Sequence, residues 1–315
     1  MLSQCRWPLP GQMRGVRSGL VNICFRNTQR SKFASHITIG STFRRVLSGN
    51  CETEGCCVGH PLLDLANKTA VVIGGTSGIG LALTRGLAQA GANVVPTGRR
   101  DEQVRSAAAE VVALGRRSFV QTCDVTDNAS LERLLKSVCG EFGGVQILVN
   151  CAGRTKRMPT LEVPENDWNA ILETNLTGTL RACRVFGRHM IEKRYGRIIN
   201  IGSLSSFVGL FEVAAYGASK AAVASLTKTL AIEWATSGVC VNALVPGVLR
   251  TDLNAALLDG TERGREFLMR TPMGRFGKLD ELAGAAVFLA SDAASFVTGH
   301  LLVVDGGILA SGVNK

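Results

Sequence analysis

The run Val71-Val72-Ile73-Gly74-Gly75-Thr76-Ser77-Gly78-Ile79-Gly80 constrains the fold of this chain more than any other. Three β-branched residues read as a buried strand, the glycines as a turn, and the residues beyond them as the start of a helix. Gly74, Gly78 and Gly80 permit a tight turn and let the backbone approach a ligand closely. The helix N-terminus then faces the turn and favours negative charge there, of the kind a pyrophosphate carries. Thr76, Ser77 and Ile79 belong to the same loop and are expected to touch the same ligand.

From there the chain alternates β-type runs with helical stretches. Strands are expected at Thr69 to Gly74, Asn93 to Thr97, Ser118 to Thr122, Val145 to Asn150, Arg197 to Gly202, Val239 to Val245 and Leu301 to Val304. Helices are expected from Gly78, over Asp101 to Leu114, Ala129 to Phe142, Glu165 to Lys193 and Val213 to Trp234. Strand and helix in turn imply right-handed crossovers: an α/β fold, a single doubly wound parallel sheet with helices on both faces. With no internal linker or repeat, residues 61–315 read as one domain.

Residues 1–60 differ. They lack periodicity, and residues 1–50 hold eight basic residues and no acid before Glu52. That is the profile of a mitochondrial or plastid transit peptide, without the apolar core of a secretory signal. If the segment is not a leader, it is a basic disordered arm on a cytoplasmic protein. The formal charge of +10 is concentrated here: from Cys51 onward 27 basic residues face 25 acidic ones. Nucleic-acid binding by the folded part is therefore not expected. No apolar run reaches transmembrane length, so no membrane span is expected. The ten Cys are scattered as in a reducing compartment. Cys51, Cys56, Cys57 and His60 match no strong zinc spacing, and no metal is expected.

Chemistry concentrates in Tyr216-Gly217-Ala218-Ser219-Lys220, with Ser203 thirteen positions upstream. Four residues apart on a helix, Tyr216 and Lys220 share a face. Such a pair alone is more often a half-buried helix face than a site. A phenol is a poor base at neutral pH, and a nearby cation lowers its pKa. So tuned, it can pass a proton to or from an alcohol or carbonyl oxygen. Ser203 ends an apolar strand, where open α/β sheets place their chemistry. At the end of the second strand stands Thr97-Gly98-Arg99-Arg100, with no acid until Asp101. A dinucleotide fold reads the ribose 2′ position there, and a basic residue selects the 2′-phosphate of NADP(H). Arg99 is the expected phosphate partner and Arg100 the secondary one.

With these residues in view, residues 63–310 resemble the short-chain dehydrogenase/reductase family, whose Rossmann-type domain binds a nicotinamide. Gly74-x-x-x-Gly78-Ile79-Gly80 looks like its cofactor loop, Asp124-Val125 like its adenine contact, and Asn150-Cys151-Ala152-Gly153 like its Asn-Asn-Ala-Gly turn. Pro246, Gly247, Leu249 and Thr251 look like its nicotinamide-side loop. Asn175 with Ser203, Tyr216 and Lys220 looks like its catalytic tetrad. Ile73 and Cys151 depart from the family's usual Thr and Asn, which removes side-chain hydrogen bonds from loop scaffolding. The resemblance implies that Tyr216 passes a proton as hydride moves between nicotinamide and carbonyl. Ser203 steadies the reacting oxygen, Lys220 lowers the Tyr216 pKa and holds the ribose, and Asn175 helps hold a relay water.

Three basic residues, Arg154, Lys156 and Arg157, at the mouth of this site suggest a small anionic substrate, with Arg154 touching it. The C-terminal tail from Val304 looks like that of gluconate 5-dehydrogenase-like members, so a sugar acid is the first expectation. A 3-oxoacyl-[acyl-carrier-protein] reductase is the alternative, weakened by Ser237-Gly238 where a basic docking residue is often found, although Arg194 remains. A non-catalytic NADPH-binding scaffold is the alternative of another class. The resemblance further implies a homodimer or homotetramer. Leu253 to Arg265 and Met269 to Phe276 are expected to form a lid.

Overall fold

In the computed structural model, residues 60–251 and 254–314 are described. The N-terminal targeting expectation and the three cysteines of the Cys51–Cys57 group lie outside these residues. Six strands form one parallel sheet: β1 (Thr69–Ile73), β2 (Asn93–Thr97), β3 (Ile147–Asn150), β4 (Gly196–Ile201), β5 (Val239–Pro246) and β6 (Leu301–Val304), in the order β2-β1-β3-β4-β5-β6. The order reverses at β1, whose neighbours are β2 and β3. The crevice beyond the carboxyl ends of β1 and β3 is where such a sheet takes its ligand.

The period-2 alternation of strand side chains divides the core in two. Ala70, Val72, Val94, Val149 and Ile199 point to one face, against Leu83 and Leu87 of α1 (Gly78–Gln89). Val71, Ile73, Val95, Leu148 and Ile198 point to the other, with Leu131 and Leu134, Phe186 and Leu230. The helices in order are α2 (Asp101–Ala113), α3 (Asn128–Phe142), α4 (Glu165–Leu172), α5 (Gly178–Glu192), α6 (Ala214–Trp234), α7 (Ala255–Leu258), α8 (Glu262–Arg270) and α9 (Glu281–Ala290). α9 packs with α1, while α3, α5 and α6 cover the opposite face. On α6, Val223 and Leu230 are buried inside the chain, whereas Ile232 is 80% exposed.

Two expectations change. Ser118 to Thr122 is not a strand of the sheet. It runs beside β2, where the Val94 N–H donates to the Arg117 carbonyl at 3.2 Å and Thr97 Oγ1 to the Gln121 carbonyl at 2.6 Å. Backbone groups two residues apart in a strand face the same side, so the next outward donor should come from residue 96. That residue is Pro96, which has no N–H, and the ladder stops. The second change is the helix expected from Glu165 to Lys193. It is α4 and α5 joined through a π turn at Glu173–Thr177. Such single-turn insertions are frequent at functional sites.

Candidate active site

The glycine loop has the geometry its residues demand. Gly74 and Gly78 adopt φ +82° and +50°. A Cβ on Gly74 would stand 2.6 Å from the Ala152 nitrogen, and one on Gly80 would collide with the Gly74 carbonyl. Thus β1, β3 and α1 meet with no room for a side chain. At Gly78 the opposite holds: a Cβ would meet nothing within 4 Å. Ser77 caps α1 without spending its side chain on the cap. An open hollow at a helix N-terminus with an uncommitted hydroxyl suits a phosphate group. Ile79 is partly buried against the α1 side of the core, and Thr76 Oγ1 lies beside Gly98.

Arg99 and Arg100 are exposed just beyond β2, and neither forms an ion pair among the described residues. Asp124 sits near Arg99. Its carboxyl is held below the ordinary range: burial would raise it, but two hydrogen bonds from Thr126 and the Arg99 charge prevail. Val125 has its side chain packed against Gly178, where a Cβ would stand 2.8 Å from Val125 Cγ2; it is a core residue. Asn150 is also turned inward, donating to Asn200 Oδ1 at 2.8 Å and to Cys183 at 3.3 Å. Side-chain contact of Val125 or Asn150 with a cofactor is therefore not what the structure provides. Pro246 ends β5, and Gly247 presses so closely on Asp305 that a Cβ would stand 2.5 Å from its Cα. Leu249 is buried, its carbonyl accepting from Asn254 Nδ2, and the Thr251 N–H donates to Asn254 Oδ1.

The tetrad residues converge from three elements. Ser203 comes directly after β4 and the intervening Gly202, and caps the turn Leu204–Ser206, its Oγ accepting from the Ser205 N–H at 3.2 Å. Tyr216 and Lys220 lie one turn apart near the start of α6, and the Tyr216 hydroxyl lies within the electrostatic reach of the Ser203 hydroxyl. Lys220 Nζ stands 5.7 Å from the centre of the Tyr216 ring and donates to the Ile201 carbonyl at 2.7 Å. Burial holds the Lys220 pKa down at about 8. Burial also pushes the Tyr216 phenol above its ordinary value, and the nearby Ser203 hydroxyl pulls the other way. Lys220, expected to lower the phenol, stands one turn away with its ammonium bonded to the Ile201 carbonyl. Gly153 borders this group, where a Cβ would stand 3.9 Å from Lys220 Nζ.

Asn175 sits in the π turn, wholly buried. Its Oδ1 accepts the Arg154 N–H at 2.8 Å, and its Nδ2 donates to the Arg154 carbonyl and to Ser219 Oγ. Both amide hydrogens are thus given to protein, so the side chain clamps the loop after β3 and has no hydrogen left for a water. Ser219, absent from the sequence expectations, in turn donates to the Tyr216 carbonyl at 2.7 Å. Its position three residues after Tyr216 was the available signal. The Cys151 thiol, pushed up to about 11 by burial, also lies in this group's electrostatic reach.

The basic loop is less basic than its sequence. Lys156 pairs with Asp167 at 2.5 Å and Arg157 with Glu212 at 2.7 Å, while the exposed Arg154 forms no ion pair among the described residues. A polar hollow of about 610 Å³ lined by Lys68, Gln146, Tyr195 and Asp292 holds none of these motif residues.

An open parallel sheet with a glycine loop at its reversal point and a Ser–Tyr–Lys group beside it defines a dinucleotide-dependent oxidoreductase. A family profile described as Enoyl-(Acyl carrier protein) reductase matches residues 74–309. Gluconate 5-dehydrogenase of Gluconobacter oxydans is 39% identical over 253 residues, covering 80% of this chain and 99% of that protein. The 3-oxoacyl-[acyl-carrier-protein] reductase of Vibrio cholerae is 41% identical, over 78% of this chain and 99% of the relative. A gluconate 5-dehydrogenase from Burkholderia cenocepacia, solved in complex with NADP and tartrate, superposes with a TM-score of 0.77 at 38% identity, over 79% of this chain and 98% of its own. The chain belongs to the short-chain dehydrogenase/reductase family.

Proposed function

We propose that the chain is an NADP(H)-dependent oxidoreductase that interconverts a carbonyl and a secondary alcohol on a small polar anion such as a sugar acid. The observation that carries the chemistry is the convergence of Ser203, Tyr216 and Lys220, with Lys220 Nζ 5.7 Å from the centre of the Tyr216 ring and the Ser203 hydroxyl near the phenol. When bound, the nicotinamide supplies or accepts the hydride. Tyr216 gives its hydroxyl proton to the carbonyl oxygen or takes it from the alcohol, and Ser203 hydrogen-bonds the same oxygen. Lys220, buried and partly cationic, holds the site's polar groups, and Asn175 keeps the loop at Gly153–Arg154 in place. Ser77, the Gly78 hollow and α1 cradle the phosphates, and Asp124 borders the adenine side, with Val125 and Asn150 supporting it from within the core. NADP is the cofactor bound in the Burkholderia structure, and Arg99 and Arg100, free of ion pairs among the described residues, suit its 2′-phosphate. Arg99→Glu is expected to lower kcat/KM for NADPH by about 10- to 100-fold with NADH little changed, as one charge-assisted contact is lost. Equal losses with both cofactors would remove Arg99 from this role.

Arg154, without an ion pair among the described residues, and the relatives named for gluconate chemistry support an anionic substrate. A second reading, 3-oxoacyl-[acyl-carrier-protein] reduction, draws on the exposed Phe207, Val208 and Phe211 between Ser203 and Tyr216, and on the relative so named. NADPH oxidation with 5-ketogluconate, acetoacetyl thioesters and simple diketones separates the two. Turnover of the thioester with none of the sugar acid overturns the first.

The same reading includes a homodimer or homotetramer, supported by exposed apolar side chains such as Ile232, and checked by light scattering. It includes a lid from Leu253 to Arg265 and Met269 to Phe276, of which Leu253 lies outside the described residues and Met269 and Met273 are exposed; protection from proteolysis by NADPH would support it. Mitochondrial import rests on the composition of residues 1–50; a reporter fused to them that stays in the cytoplasm would end that proposal.

A further inference from the structure

The face of α6 that meets the sheet is made largely of Ala215, Val223, Ala224, Leu230 and Ala231. Apolar burial of this kind is non-directional and does not by itself fix how far a helix sits along its axis. Directional bonds do. Among the described residues, α6 side chains hydrogen-bond to other elements through Ser219, Lys220 and Thr227. The first two belong to the reacting group's own surroundings. Thr227 lies seven residues beyond Lys220, two helical turns away, and is wholly buried.

Its Oγ1 accepts from Asn200 Nδ2 at 3.0 Å and donates to the Val223 carbonyl at 2.8 Å. Asn200 is wholly buried in β4, three residues before Ser203. Its Oδ1 takes a hydrogen from Asn150 Nδ2 at 2.8 Å, at the end of β3 and directly before Cys151-Ala152-Gly153. One line of buried amides and a hydroxyl therefore crosses three elements, and each of the three carries part of the site. The line keeps a cost: Asn150 Oδ1 is buried with no hydrogen-bond partner. An orphaned buried acceptor in a native core calls for an explanation.

We infer that Thr227 is a positioning residue that acts through Asn200, fixing the axial seat of α6 against β4 and so the placement of Tyr216 and Lys220 relative to Ser203. It touches no reacting atom. Its hydroxyl is the one polar lock in the second half of the helix that reaches another element, among the described residues. Asn150 extends the lock to the strand whose continuation lies against Gly74. The inference rests on Tyr216 and Ser203 being the proton-handling pair.

Thr227→Val keeps the shape and removes the acceptor, leaving Asn200 Nδ2 unpaired. With NADPH and whichever ketone the panel above identifies, kcat is expected to fall about 10-fold, since sub-ångström misplacement of reacting groups is costly. KM for NADPH stays within about twofold, because the glycine loop is untouched. The midpoint of the kcat–pH profile moves upward, because the Ser203 hydroxyl that lowers the Tyr216 phenol shifts away from it. Thr227→Ser restores both. If Thr227→Val does not accumulate folded, Thr227→Cys, with its weak acceptor, carries the same prediction at reduced size. A variant with lowered Tm but kcat and pH midpoint unchanged, or a Thr227→Ser that fails to recover, overturns the inference alone. An inactive wild type or an active Tyr216→Phe overturns the underlying reading and the inference together.

Discussion

Tyr216→Phe is expected to reduce turnover at least about 100-fold while leaving NADPH binding, followed by fluorescence titration, within about twofold. The substitution removes one oxygen from a half-buried ring and leaves the packing around it. What is lost is the proton donor beside Ser203. Lys220 keeps its bond to the Ile201 carbonyl, so the wall of the site should hold. The pH behaviour stems from the same environment. Burial keeps Tyr216 protonated beyond the ordinary phenol range, so carbonyl reduction has its donor throughout neutral pH and loses it only in alkali. Alcohol oxidation needs the phenolate and should climb as pH rises. Lys220, with its pKa near 8, gives up its charge over part of that climb and should shallow the upper limb. A Phe variant that retained turnover, or an oxidation rate that fell with rising pH, would remove Tyr216 from the chemistry.

Gly80→Ala should weaken NADPH binding by about 100-fold or more, with loss of stability as a second readout. The reason is steric: the new methyl collides with the Gly74 carbonyl, which is backbone and cannot swing away. Gly74 in turn touches the Ala152 nitrogen, so relief would require β1 and the loop after β3 to part. The hollow at Gly78 proposed for a phosphate lies inside that same loop. Gly78→Ala is the informative contrast. It meets no atom within 4 Å, so its cost comes from φ +50° and from filling the hollow. If Gly80→Ala bound NADPH as tightly as the wild type, the loop would not be the cofactor's seat.

Much of this architecture could be read from residue patterns. The helix expected at Asp101 to Leu114 forms at Asp101–Ala113, and Leu301 to Val304 forms as a strand with those bounds. The convergence of Ser203, Tyr216 and Lys220 was legible because helical spacing and a strand end are local signals. What escaped was either a single-residue interruption or a long-range pairing. The π turn around Asn175 inserts one residue into a helix, and apolar spacing on either side of it looks continuous. Pro96 stands inside an otherwise regular β run, and its missing donor decides the fate of Ser118 to Thr122. Asn150 turns inward because Asn200, fifty residues away, meets it there. Lys156 and Arg157 find Asp167 and Glu212, and nothing in the basic triplet itself foretells either partner.

Pro96 has a further effect beyond the strand it prevents. An uncapped sheet margin recruits strands from other molecules. On the β2 side, the absent donor and the irregular chain beside it deny an incoming strand a continuous row of bonds. Among the described residues, only the β6 margin then offers a template, and two copies that join there in two-fold fashion use it up. Growth should therefore stop at discrete assemblies, and fibrils that bind amyloid dyes under native conditions would contradict this.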